Sequence, residues 1–520
     1  MATVTPRQTL FLQRLGFDSN PFEFTSADDE PLLSQYFVAP PYFDSVYGEP
    51  EQPSSCMVMA PRGAGKSAQR KMVETLAPED LVLCVTYDTF RKPGGKKLTE
   101  MALEDHLANI ARMTAMGLLT WMGSHPGSAQ KLSPGEKDAL RALTQALLTQ
   151  ISAAEQRETL YSLRNLSDTA KEIWNEHHWV IDAVLSAINI LGGGMGGGSL
   201  PSATSSSAGA VEPDAAIDLL GRLAVTLELK AIYVLIDRVD ETAETSADPM
   251  AAYAMIAALM HELKVLEHRP FAYKFFLPDD LLPFYQRDGG RSDRIRNYET
   301  RWRNDELDTL MARRLSAYSG GRVSSLRDLL AAGSDAEGLV RLSIHFAQRS
   351  PRDLIRIWGR AVAEQLRINH TSGAISETAL LSGIDAFSRE KADEIATADT
   401  VRDLKRVARV DFTVSEVASD VFHVDNNSAR ARIQSWENRG VVKKIGEVPV
   451  ARGRPHHHYG VVDIRVARSI FPDVRLDDFL TAKARLCPGC ESPMLRDWDD
   501  ARGERDETCI ECGIPVQPIA

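Results

Sequence analysis

Residues 56–67 read Cys56-Met57-Val58-Met59-Ala60-Pro61-Arg62-Gly63-Ala64-Gly65-Lys66-Ser67. A short apolar run of strand length enters a turn with two glycines and leaves it on a basic and a hydroxyl residue. Beyond it Met72, Val73 and Leu76 share one helical face. Gly63 and Gly65 can take backbone angles closed to other residues. The amides of such a turn converge on one point with a helix N-terminus behind them, which is how a chain holds phosphate oxygens. Pro61, Arg62, Gly63, Ala64, Gly65, Lys66 and Ser67 are therefore the candidate nucleotide-binding residues. Lys66 offers a mobile positive charge to the β and γ phosphates of ATP, and Ser67 a hydroxyl to Mg²⁺. Ala60 stands where this motif opens on a glycine, and it is small enough to begin the loop.

The second decisive stretch is Ile232-Tyr233-Val234-Leu235-Ile236-Asp237-Arg238-Val239-Asp240-Glu241. A fully apolar strand ending in Asp presents a carboxylate at the strand's C-terminal edge, where Mg²⁺ beside the phosphates needs it. Asp237 is the expected metal ligand together with Ser67. Asp240 and Glu241 stand close enough to orient or activate an attacking water. The catalytic candidates are Lys66, Asp237, Asp240 and Glu241.

Working outward, strands at Leu81–Tyr87 and Phe271–Leu277 alternate with helices near 214–227 and 250–267. This order predicts an α/β fold, a parallel sheet with helices on both faces. Residues 1–54, rich in Pro and aromatics, are expected to wrap the core, which runs over 55–304. Within it, 98–190 reads as a helical insertion and 192–213, GGGMGGGSLPSATSSSAGAVEP, as a flexible linker. Residues 305–398 return to helical spacing and form a helical lid. The segment Trp179–Leu191 is apolar apart from Asp182, Ser186 and Asn189, shorter than the roughly 20 residues of a membrane span. No membrane role is expected, and the absence of an apolar leader predicts a cytoplasmic protein.

Together these motifs resemble the AAA+-related and STAND-type P-loop ATPases of prokaryotes, whose second motif often reads D-x-x-D-E, matched by Asp237, Asp240 and Glu241. Arg238 stands where AAA+ proteins proper place Glu, which favours the STAND-like branch. The resemblance covers roughly residues 30–400. It implies ATP binding and hydrolysis, ATP-dependent homo-oligomers, and roles in signalling or phage defence. Arg349-Ser350-Pro351-Arg352-Asp353-Leu354 resembles the lid helix start of origin-recognition-like and STAND ATPases, which would make Arg352 a γ-phosphate sensor. One of Arg294, Arg296, Arg301 and Arg303 would serve as an arginine finger toward a neighbouring subunit.

The net charge of -12 does not advertise a nucleic-acid binder. Residues 401–486, however, hold 16 Lys/Arg against 11 Asp/Glu. Residues 399–482 have the order of a winged helix-turn-helix: helices at 401–410, 414–421 and 427–438, the last capped by Asn426 or Asn427, then strands at 441–445 and 459–463. Arg430 and Arg432 on the third helix and Arg452 and Arg454 on the wing are the candidate contacts to duplex DNA. A winged helix used for protein contacts is the alternative. In 483–520, Cys487-Pro488-Gly489-Cys490 and Cys509-Ile510-Glu511-Cys512, separated by 18 residues, have the spacing of a zinc ribbon. Four thiolates would close the Zn²⁺ site, and the acidic surroundings suit a protein partner. Three functions compete: an ATP-driven switch, an origin-recognition-like DNA loader or regulator, and a nucleotide-responsive scaffold without turnover.

Overall fold

The computed structural model describes residues 6–92, 94–125, 127–148, 212–246, 248–448, 455–490, 492–498, 508–509 and 512–518. Most of the expected linker, the end of the helical insertion, Trp179–Leu191 and both Arg452 and Arg454 lie outside them. The chain forms two compact units, residues 38–301 and residues 1–37 with 302–520.

The 38–301 unit is built on five parallel strands: β1 (Cys56–Ala60), β2 (Val82–Tyr87), β3 (Ala231–Ile236), β4 (Phe271–Pro278) and β5 (Arg296–Glu299), in the order β2-β3-β4-β1-β5. β4 thus separates β1 from β3, with Met57 opposite Phe275 and Val234 opposite Tyr273. Every residue of β1 to β4 is buried, as a sheet covered on both faces requires. Edge strand β5 is mostly exposed. On one face Leu83, Val85, Ile232, Val234, Tyr273 and Phe275 share a core with helices α2 (Leu103–Ser124), α3 (Pro134–Leu148), α4 (Pro213–Thr226) and α5 (Pro249–His261). The other face receives α1 (Lys66–Leu76), which packs on β1 and β4. The expected parallel α/β core is therefore present. The segment beginning at 98 is more than an insertion: α2 packs directly on β2, and a Cβ on Gly117 would come within 3.3 Å of Leu83.

The second unit gathers helices α6 (Asn304–Ser319), α7 (Ala336–Phe346), α8 (Pro351–Asn369) and α9 (Glu377–Ile395). α8 and α9 cross closely because Gly383 lies against the Ala361 backbone, where a Cβ would approach the amide nitrogen to 2.7 Å. The N-terminal segment does not wrap the sheet as one piece. Residues to Phe37 join this helical unit because buried Arg314 of α6 donates to the Pro21 and Phe24 carbonyls at 2.6 and 2.9 Å and pairs with Glu30 at 2.7 Å. Residues 38–54 stay with the sheet, where the buried Lys274 ammonium donates to Val46 O at 2.5 Å.

After α9 come α10 (Ala398–Val407), β6 (Asp411–Thr413), a π-helical turn (Glu416–Phe422), α11 (Asn426–Asn438), β7 (Val442–Val448) and β8 (His456–Val461), with antiparallel strand order β6-β8-β7. Then follow α12 (Ile464–Ile470), α13 (Leu476–Lys483) and a small antiparallel sheet of β9 (Ala484–Leu486), β10 (Pro493–Leu495) and β11 (Gln517–Pro518). The cap of α11 is Asp425, not Asn426 or Asn427: its carboxylate accepts from the amides of Asn427 and Ser428 at 2.8 and 3.1 Å. A carboxylate answers both the open amides and the positive helix end, which a carboxamide does only in part. Among the described residues no helix is long and apolar enough to cross a membrane.

His106, fully buried, bonds Tyr87 OH through Nδ1 and Met255 O through Nε2, both at 2.8 Å. Burial lowers its pKa to about 4. The unfolded chain takes up this proton near 6.5 and the folded chain near 4, so stability is lost as pH falls between these values. In urea unfolding at stepped pH, His106→Gln should lose this dependence, about 1.4 kcal/mol per pH unit in that window; identical slopes in both proteins would refute the assignment.

Candidate phosphate and metal sites

β1 delivers the chain to the loop at the C-terminal edge of the sheet. Gly63 and Gly65 sit at φ +79° and +93°, left-handed angles that glycine takes most readily. Space is not the reason for glycine at 65, because an added Cβ would meet only Ala68 at 4.0 Å. Gly65 caps α1 without a side-chain acceptor, and the first turn of α1 holds no acidic residue. No acid of its own first turn opposes an anion at the positive end of the helix. Lys66 Nζ folds over the loop onto the Ala60 and Pro61 carbonyls at 2.8 and 3.0 Å. Those are neutral acceptors, which a phosphate oxygen would outcompete.

Asp237 follows β3 on the same edge, only 2% exposed. Its Oδ2 accepts from Arg70 Nε at 2.9 Å and its Oδ1 from the Arg238 amide at 2.9 Å. Arg70, on α1 one turn after Lys66, is itself fully buried and also pairs with Glu74. Each Asp237 oxygen keeps a further lone pair, which could take Mg²⁺ directly or through its water. Arg238, set at φ +59°, turns the chain sharply after the strand.

Asp240 and Glu241 have different surroundings. Asp240 is buried and accepts from Arg62 Nε at 2.8 Å, while Arg62 Nη2 donates to Asp240 O and Ser246 O at 2.9 and 3.0 Å. It is tied to the phosphate loop. The Glu241 side chain is about half exposed, with its carboxylate 3.6 Å from Arg238 Nε.

Two further acids follow strands on this edge. Asp88, just after β2, lies 4.0 Å from Arg238 Nη1. Asp279, just after β4, has its pKa raised by burial and by Asp280, against the opposing charge of Lys66. Neither is among the residues expected from the sequence; Asp88 carries the signal that marks Asp237, a buried and mostly apolar strand followed directly by Asp, whereas Lys274 interrupts the strand before Asp279.

Arg352 belongs to the other unit, half-buried at the second position of α8, whose cap is Ser350. Of the four finger candidates, Arg294 pairs with Glu267 at 2.7 Å, Arg301 with Glu299 at 3.4 Å and Arg303 with Asp305 at 3.0 Å. Arg296 lies exposed on β5. On α11, Arg430 is exposed and bonds Asn427 Oδ1 at 3.1 Å. Arg432 is engaged within the unit, paired with Asp403 and 4.4 Å above the Phe422 ring.

Cys487, Cys490, Cys509 and Cys512 bring their Sγ atoms within 4.8 Å of one another. Cys487 Sγ accepts the Gly489 and Cys490 amides, both at 3.4 Å, which favours a thiolate. Four cysteines at this spacing could hold a tetrahedral Zn²⁺ as thiolates, with no open position.

No protein-family model matches the sequence, and no curated protein matches it. Among solved structures the chain is similar to the Orc1 protein of Aeropyrum pernix in complex with DNA, at 11% identity and a TM-score of 0.35, over 90% of this chain and 93% of that one. It is also similar to a Walker-type ATPase of Pyrococcus abyssi, at 12% identity and a TM-score of 0.34, over 86% of this chain and 99% of that one. At these TM-scores the fold assignment stands on the strand order and register above.

Removing the guanidinium by Arg70→Met would leave two acids, Asp237 and Glu74, buried without their cation. A loss of about 3–5 kcal/mol is expected in denaturant unfolding; a change below about 1 kcal/mol would show that the pair does not hold α1 to β3.

Proposed function

We propose that this chain binds ATP with Mg²⁺ at the β1–α1 loop and hydrolyses it, and that its nucleotide state is passed to the C-terminal modules. The observation that carries the reading is the uncapped, acid-free N-terminus of α1 behind two left-handed glycines, with Asp237 on the same edge of the sheet. The loop amides and Lys66 hold the β and γ phosphates. Mg²⁺ held by Ser67 and Asp237 would neutralise charge on the transferring group. Glu241, whose carboxylate is exposed, is the candidate to orient the attacking water. Asp240 acts through Arg62 and is a positioning residue for the loop.

Two of the competing readings share this site. A DNA-facing regulator is favoured by the basic balance of residues 401–486 and by the exposed polar face of α11. A protein-facing switch is favoured by the acidic surroundings of the cysteines, where Zn²⁺ would be structural. The phage-defence role implied by the resemblance has no residue of its own here and is not carried forward.

Steady-state ATP hydrolysis by wild type, Lys66→Ala and Glu241→Gln, with and without duplex DNA, tests the reading. Lys66→Ala should lower turnover by about 10²–10³-fold, as loss of one electrostatic stabiliser does. Glu241→Gln should bind ATP normally and turn it over as poorly. Stimulation by duplex would favour the regulator. Equal turnover in wild type and Lys66→Ala would sink the ATPase.

Metal analysis of the purified chain should return one Zn²⁺ per molecule, lost in Cys509→Ser. A metal-free wild type with a folded C-terminus would remove zinc from the account.

A further inference from the structure

The chain enters α8 through a bend that its residue types do not favour. Gln348 and Arg349 both take left-handed backbone angles, φ +50° and +61°. Residues bearing a Cβ adopt these angles at a cost, and neither position holds the glycine that would avoid it. Ser350 follows as the cap of α8, its hydroxyl accepting the Asp353 amide at 3.2 Å. The Ser350 carbonyl accepts the Leu354 amide at 3.0 Å. A bend of this kind persists where its surroundings hold it. Gln348 Nε2 reaches back to the His345 carbonyl at 3.0 Å, inside the same turn. Arg349 reaches further. Its Nη2 donates to the Cys490 carbonyl and, at 3.3 Å, to Ser492 Oγ, 141 and 143 residues on. Both acceptors belong to the first cysteine knuckle, which the Cys487 amide closes onto the Ser492 carbonyl at 3.1 Å.

We propose that Arg349 is a positioning residue: it ties the start of α8, and with it Arg352, to the cysteine knuckle, so that the helix start responds to whether the four cysteines hold a metal. The inference rests on the reading that these cysteines bind Zn²⁺, and adds what the bound knuckle does. Zn²⁺ on four thiolates would supply the rigidity that so short a segment lacks by itself. In a fixed knuckle Cys490 O and Ser492 Oγ stay where one guanidinium can meet both. In a loose knuckle Arg349 loses these bonds, and nothing from the knuckle offsets the cost of the left-handed pair. The bend then relaxes, and the Ser350 cap moves away from the Asp353 and Leu354 amides. Asp353 itself stays in place, because Arg465 of α12 and Lys391 of α9 hold its carboxylate at 2.5 and 3.5 Å. The disturbance is therefore confined to residues ahead of it. Arg352, the second residue of the helix, is among them.

The test is amide hydrogen exchange of the full-length protein, comparing wild type and Arg349→Met, each in excess Zn²⁺ and after chelation, with metal content measured on every sample. In wild type, chelation should speed exchange at the Asp353 and Leu354 amides about 10-fold or more, the scale of one hydrogen bond from a charged donor. Arg349→Met should exchange at the faster rate with Zn²⁺ bound, and chelation should change it little further. By reciprocity the variant should also bind Zn²⁺ more weakly by a similar factor. One Zn²⁺ per molecule in the loaded variant shows that its cysteine segment is folded. Equal exchange in loaded and chelated wild type, or a variant that matches loaded wild type, would overturn the tie while zinc binding stands. Faster exchange along α9 as well as at the start of α8 would mean that metal loss unfolds the unit, and would also overturn it. A wild type that takes up no Zn²⁺ would remove the zinc reading and this inference together.

Discussion

The ion pair between Arg70 and Asp237 is the constraint on which the 38–301 unit turns. A guanidinium and two carboxylates, all withdrawn from water, join α1 to the edge of β3 across the intervening β4. Burying three charges is expensive, and hydrophobic residues of the same volume would stabilise as well or better. What apolar packing does not supply is direction. Arg70 Nε fixes one oxygen of Asp237 and the Arg238 amide fixes the other, so the carboxylate cannot rotate. Arg70 stands one turn beyond Lys66, so the same helix that presents the phosphate loop also aims the acid. Loop and acid are placed by one rigid element rather than by two independent ones.

A second tie runs from the loop itself. Arg62, inside the glycine turn, reaches the Asp240 carboxylate and the backbone around it. The loop is thereby held to the β3 turn by protein groups alone. Such preorganisation lowers the ordering cost of binding an anion. It also divides the two acids that sequence spacing leaves equivalent: Asp240 has a partner that fixes it, and Glu241 faces solvent.

What could be read from the sequence follows from where physics leaves a local trace. The β1–α1 turn and the apolar run before Asp237 leave strong traces, because β1 and β3 are buried and apolar throughout and glycine takes the left-handed angles of the loop most readily. β6 leaves none. It has three residues and exists only because β8 pairs with it. The division of the N-terminal segment at Phe37 is equally hidden, since it depends on Arg314 choosing the carbonyls of Pro21 and Phe24, 293 and 290 residues away. Spacing offered Arg430 and Arg432 as equals on α11. Only the fold brings Asp403 and Phe422 against one of them.

In the helical unit the same logic joins the C-terminal modules to α8. Asp353, buried in the first turn of α8, meets Arg465 of α12 at 2.5 Å and Lys391 of α9 at 3.5 Å. Arg349, just ahead of the cap, bonds the Cys490 carbonyl and, at 3.3 Å, Ser492. Asp411 of β6 and Asp497 exchange amide hydrogen bonds at 3.4 and 3.1 Å, with Lys483 at 2.8 Å from Asp497. Burial and the facing Asp411 charge raise the Asp497 pKa to about 6. Each tie uses a charge that would be costly to leave unpaired. A displacement of α8 away from α12 would have to break the buried Asp353–Arg465 pair, and one away from the cysteine segment the bonds of Arg349. The helices, the β6-β8-β7 sheet and the cysteine segment of this unit are thus tied to one another at several separate points.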